Sequence, residues 1–136
     1  MLRTCVGPAI ALGLAGIVMF AASTRAQEDF PFEHELLLDT HPMKGSKRIP
    51  TLSVEPDGAA TIDLWCNSMH AQINVNGDAI SISAGEKKSN QSCAPERQQA
   101  DEDLFAALTS ATSWRWDGEN LELIGQKTLR FRQPTN

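Results

Sequence analysis

The chain has 136 residues, of which 41% are hydrophobic, 21% charged and 6% aromatic, and its formal net charge is −5. That length suits one domain in the ~100–150-residue range and excludes two independent cores with a cleft between them. The acidic balance excludes nucleic acid and anionic lipid as the main partner, because both select basic faces. Frequent, regularly spaced apolar residues exclude a disordered chain.

Met1–Arg3 is a short basic start, Val6–Ala22 is an apolar run broken only by glycine and Pro8, and small residues follow. This is the layout of a cleaved secretory signal peptide over residues 1–26, with Thr24 and Ala26 at positions −3 and −1; Ala21 and Ser23 offer a second cleavage site. The run is shorter than the ~20 residues of a spanning helix, so no membrane span is expected once it is removed. Cys5 precedes the run and leaves with it. The remaining domain, residues 27–136, carries ten basic and seventeen acidic side chains, a net charge of −7.

Glu35–Asp39 reads as an opening strand and His41–Arg48, with Pro42, Gly45 and Ser46, as a loop. Three hairpins are expected around turn dipeptides that tolerate positive φ. Asp57-Gly58 separates Thr51–Glu55, with Leu52 and Val54 alternating, from Ala60–Trp65, with Ile62 and Leu64 alternating. Asn76-Gly77 separates His70–Val75 from Ala79–Ser83, where Ile80 and Ile82 share a face. Asp117-Gly118 separates Thr112–Trp116, with Trp114 and Trp116 on one face, from Asn120–Ile124, with Leu121 and Leu123 on one face. Thr128–Arg132 closes the series.

One stretch breaks the two-residue rhythm. Pro95–Ala111 places Ala100, Leu104, Ala107, Leu108 and Ala111 at helical spacing, with Pro95 suited to a first turn and Glu96 near the positive end of the dipole. Its other face, Arg97, Gln98, Asp101 and Glu102, is expected to be solvated. The fold class is therefore α+β, mostly β: about eight antiparallel strands forming a compact curled sheet or barrel, with one amphipathic helix packed on it.

In an exported domain the two remaining cysteines, Cys66 and Cys93, are expected to pair. No Cys-x-x-Cys spacing lowers a thiol pKa, so a redox role is disfavoured.

The order of these features resembles the META domain, the HslJ-like group of small bacterial exported proteins. The resemblance rests on Cys66-Asn67 after two strands, a hairpin, a polar segment ending in Cys93, a helix leading to Leu104-Phe105 and Leu108, then Asp117-Gly118, Leu121-Glu122-Leu123 and Leu129-Arg130-Phe131. It spans roughly Leu36–Phe131. Trp65 stands where the family usually has glycine, Ser89 and Gln91 where it has threonine and methionine, and Leu36 and Leu37 where it has tryptophan. The resemblance implies a β-rich fold with a helix, an envelope location and links to stress tolerance. It implies no established enzymatic activity.

Chemistry-bearing groups are sparse. His34, His41 and His70 are the only histidines. His41-Pro42-Met43 and Met69-His70 offer soft ligands of the kind that suit copper, but neighbours on a strand point to opposite faces and no two histidines have zinc-ligand spacing. No Gly-x-Ser-x-Gly or glycine-rich phosphate cradle occurs. Asp101-Glu102-Asp103 diverge by ~100° per residue on a helix and cannot flank one bond. Nor do they make a calcium loop. Lys87-Lys88 and Arg130/Arg132 read as solvated loop and strand-edge charges. Trp114 and Trp116 are the one candidate ligand surface, an aromatic shelf for sugar, peptide or lipid, set against ordinary core packing.

The expectation is a non-enzymatic monomer, with no catalytic, cofactor-binding or metal residues, that binds an envelope protein or ligand. The alternative is a small exported inhibitor or ligand-binding β-barrel resembling the lysozyme-inhibitor barrels. A helix after the second cysteine distinguishes the first from the second. A metal-dependent hydrolase ranks last, since it needs a convergent triad or metal set.

Overall fold

The computed structural model describes residues 29–88 and 92–135. The signal peptide expected over Met1–Ala26 lies outside the described residues, as do Ser89 and Gln91. Among the described residues eight strands and one helix follow in the order β1 (Glu35–Leu38), β2 (Thr51–Val54), β3 (Ala59–Asp63), β4 (Ser68–Asn76), β5 (Ala79–Lys88), α1 (Pro95–Thr109), β6 (Ser113–Asp117), β7 (Asn120–Ile124) and β8 (Thr128–Arg132). The strands pair antiparallel in sequence order and close into a barrel where Leu37 and Leu38 of β1 meet Arg132 and Phe131 of β8. The α+β, mostly β architecture is as expected, and the curled sheet is a closed barrel.

Period-two patterning explains the closure. Leu52 and Val54, Ala60 and Ile62, Ala71 and Ile73, Ile80 and Ile82, and Leu121 and Leu123 are all buried, while their chain neighbours in β2 to β5 face outward or sit at intermediate depth. Each fully buried branched side chain contributes roughly 1.5–3 kcal/mol of transfer free energy. Closing the sheet on itself lets the eight strands share that core.

Two turns differ by one residue from the expected dipeptides. Asn76 pairs with Ala79 and Asp117 pairs with Asn120, so the loops are Gly77-Asp78 and Gly118-Glu119. Gly77 has φ 60° and Gly118 φ 62°, and each takes the first loop position, where a type II′ turn needs positive φ. The dipeptides mark the hairpins correctly, but their first residues belong to the strands.

β5 is longer than its expected Ala79–Ser83. Lys87 and Lys88, expected as loop charges, lie in that strand and pair with Met69 and Ser68. The register shifts between Met69 and Ala71, and Gly85 sits opposite the irregularity, where an added Cβ would come within 2.6 Å of the His70 carbonyl oxygen. The bulge carries the strand past the point where strict alternation ends. That is why the sequence pattern stopped short.

The helix starts at Pro95, whose missing N–H costs nothing in a first turn. Leu104, Ala107 and Leu108 are buried against the barrel. Before β1, Phe30 enters the core and meets Trp114 edge-on at a ring-centroid distance of 5.3 Å.

Candidate binding site

The turn between β3 and β4 carries Cys66 and Asn67, and four separate devices hold it. Leu64 N–H donates to Asn67 O at 2.8 Å, which folds the turn on itself. Arg48, from the loop before β2, donates through Nη1 to Cys66 O at 3.1 Å and through Nη2 to Asn67 O at 3.3 Å, and lies 3.7 Å from Asp63. The third device is a disulfide from Cys66 to Cys93, with Cα atoms 6.1 Å apart. It ties the β3–β4 turn to the chain just before α1, as expected from the even cysteine count.

Asp101 is the fourth device and corrects the expected solvated face of the helix. It is 1% exposed, and its carboxylate accepts Cys66 N–H at 3.1 Å, Asn67 N–H at 2.9 Å and Asn67 Nδ2–H at 3.0 Å. The physical reason lies in the spacing. Asp101, Leu104 and Leu108 stand at i, i+3 and i+7, one stripe of the helix. A buried carboxylate is stable there because the turn directs two main-chain N–H groups and one side-chain amide toward it. That stripe was the signal available in the sequence. Arg48 was not legible, because nothing in a loop sequence says which carbonyls its guanidinium will reach.

Beside this knot a cleft of about 160 Å³ opens between α1 and β5. Leu64, Met69, Ala84, Gly85 and Phe105 make it apolar, and Asp101 and Glu102 form its helical wall. Leu64 and Met69 are buried core residues, so the floor of the cleft is the barrel core itself. The consecutive acids 101–103 do diverge: Asp101 is buried, Glu102 lines the cleft, and Asp103 is exposed and accepts a hydrogen bond from Gln99 Nε2 at 3.0 Å.

The helix lies after Cys93 and between the second and third hairpins, the arrangement that separates a META-like layout from an uninterrupted barrel. A family model described as META domain matches residues 32–135. The chain belongs to the META domain family. Comparison with curated proteins and with solved structures gave no match.

Within this META domain the candidate aromatic pair is divided. Trp114 is 6% exposed and donates Nε1–H to Gly77 O at 2.8 Å, so its ring is a core element. Trp116 is half-buried on the same face, donates to Asp29 O at 3.3 Å, and borders an open groove with Asn120, Arg132 and Pro134. The two rings therefore form no continuous shelf.

The histidines are scattered. His34, His41 and His70 are all exposed, and His70 lies on the opposite face of β4 from the buried Met69. Among the described residues no group of three or more His, Cys, Asp or Glu is placed to hold a metal ion. Nor is any described helix long and apolar enough to cross a membrane.

One further buried charge was not anticipated. Glu122 in β7 is 4% exposed although it lies on the outer face of the sheet. Its neighbours across the ladder are Arg115 in β6 and Arg130 in β8. Glu122 binds Arg115 Nε at 2.7 Å and Arg130 Nη1 at 3.1 Å, and Arg130 also reaches Asp117 at 2.9 Å. The hydrogen bond to Glu122, then its charge, holds the Arg115 pKa above its ordinary value. Arg130 is thus a strand-pairing residue rather than a free edge charge.

Proposed function

We propose that this META domain is a non-enzymatic exported protein, acting as a monomer, that supports stress tolerance of the cell envelope by binding another envelope component. Three features support export and an envelope setting: the signal-like segment Met1–Ala26, the family, and a cystine of the kind that persists in oxidising compartments. The observation that carries the binding role is the apolar cleft between α1 and β5. Apolar concavities bordered by a few polar groups are the default binding sites of small domains. The rigid turn at Cys66-Asn67 fixes one end of that cleft.

The test is deletion of the gene followed by growth under heat, detergent and antibiotic challenge. Sensitivity to at least one challenge, restored by the full gene and not by a version lacking residues 2–26, is the expected result. Growth indistinguishable from the parent in all three overturns the role.

A further inference from the structure

The barrel wall is incomplete beside the cleft. β5 pairs with β4 on both sides of its bulge but with β6 only at Ala79 opposite Ser113. In an antiparallel ladder alternate residues turn their N–H and C=O to opposite sides. Ile80 N–H reaches Thr112 O at 3.0 Å on the β6 side. Ile82 and Ala84 share that parity, so their main-chain groups also face away from β4. Ile82 is buried, whereas Ala84 is exposed, and among the described residues no main-chain group bonds to Ala84 on this side. The Ala84 methyl, on the same face as the core residues Ile80 and Ile82, lines the cleft.

We propose that this site captures an extended peptide segment of an envelope partner, with one branched aliphatic side chain seated in the cleft and the peptide main chain bridged to Ala84. The proposal rests on the binding role given above and names the class of partner. Residues opposite one another on paired strands point to the same face. A residue bridged to Ala84 therefore puts its side chain where Ala84 puts its own, onto Leu64, Met69 and Phe105. An apolar cavity near 150 Å³ stays dry and admits a benzene-sized group, and the cleft, at about 160 Å³, is of that size.

Charge narrows the choice further. Glu102 forms part of the wall, so a basic residue flanking the anchor on that side is favoured. A second copy of the chain would bring the same Glu102 to the same edge, which disfavours self-pairing. The bulge beyond Ala84 bends the strand and limits pairing to a short bridge. Specificity then falls on the anchoring side chain.

The experiment is titration of the purified, ¹⁵N-labelled protein with a lysine-flanked pentapeptide bearing a central leucine, followed by amide NMR. Saturable shifts at Ala84, Gly85 and Phe105 are expected, at least tenfold weaker when the leucine is replaced by alanine. Ala84→Phe, which fills the cleft, should abolish them. Glu102→Lys, a change at the helix surface, should weaken the lysine-flanked peptide and strengthen a glutamate-flanked one. Equal binding of the leucine and alanine peptides, or no saturable shift at these amides, overturns the proposal. Shifts with sodium octanoate and none with the peptides overturn the peptide assignment and leave an apolar binding site. A growth phenotype of the deletion strain without peptide binding removes the peptide and leaves the envelope role.

Discussion

Asp101 Oδ2 accepts two hydrogen bonds from one residue, Asn67, at 2.9 Å from its backbone nitrogen and 3.0 Å from its side-chain amide. The pair links α1 to the β3–β4 turn across 34 residues of sequence. Asp101→Ala removes the carboxylate that accepts Cys66 N–H, Asn67 N–H and Asn67 Nδ2–H. Hydrogen bonds to charged groups contribute ~1.5–3 kcal/mol, and buried donors left unsatisfied cost a comparable amount. Urea unfolding should show a loss of about 3 kcal/mol. Asp101→Asn, which keeps the shape and one acceptor, should lose less.

The disulfide acts on the same turn by a different route. A sequence separation of 27 between Cys66 and Cys93 predicts about 3.5 kcal/mol of stabilisation from restricting the unfolded chain. Reduction should lower the urea midpoint accordingly and leave the far-ultraviolet circular dichroism unchanged, because Asp101 and Arg48 hold the turn without it. Intact mass after alkylation checks the bridge itself. Two alkylated cysteines without reductant would remove it.

These two links show what a sequence of this kind discloses. The strands were legible because burial on one face leaves a period-two trace, as in Leu52 and Val54 or Leu121 and Leu123. The cystine was legible from the even cysteine count left after the expected signal peptide. Asp101 was misjudged because a helix surface was sorted by polarity rather than by position on the stripe, although its spacing to Leu104 and Leu108 was in plain view. Arg48, Glu122 and the cleft were not legible at all. Each depends on which segments converge in space, and the cleft depends on β6 leaving β5 after one residue pair.

Glu122 lies between Arg115 and Arg130 on three adjacent strands, so one carboxylate ties β6, β7 and β8 together. Glu122→Gln keeps the volume, removes the ion-pair partner of Arg115 and leaves Arg130 with Asp117. The urea midpoint should fall. The deficit should narrow at high salt, because Arg115 is largely exposed and its attraction is screened. The sign of the pH effect follows from the raised pKa of Arg115. A base whose folded-state pKa is raised contributes fully below its unfolded value and loses that contribution only as pH climbs through the folded one. Arg115 therefore adds no pH dependence to the difference anywhere below the ordinary arginine range.

Gly58 and Gly118 both have positive φ, 88° and 62°, yet their surroundings differ. At Gly58 an added Cβ would overlap the Ile73 carbonyl oxygen, and Gly58 O also accepts Ile73 N–H at 2.8 Å, so the β2–β3 turn lies against β4 with no space to yield. At Gly118 nothing lies within 4 Å. An alanine in a left-handed conformation costs ~1–2 kcal/mol from its own backbone. Gly118→Ala should lose about that much and no more. Gly58→Ala must displace a strand as well, so its loss of stability should clearly exceed that of Gly118→Ala when both are followed by urea unfolding. Equal losses at the two positions would mean that the turn at Gly58 does not press on β4.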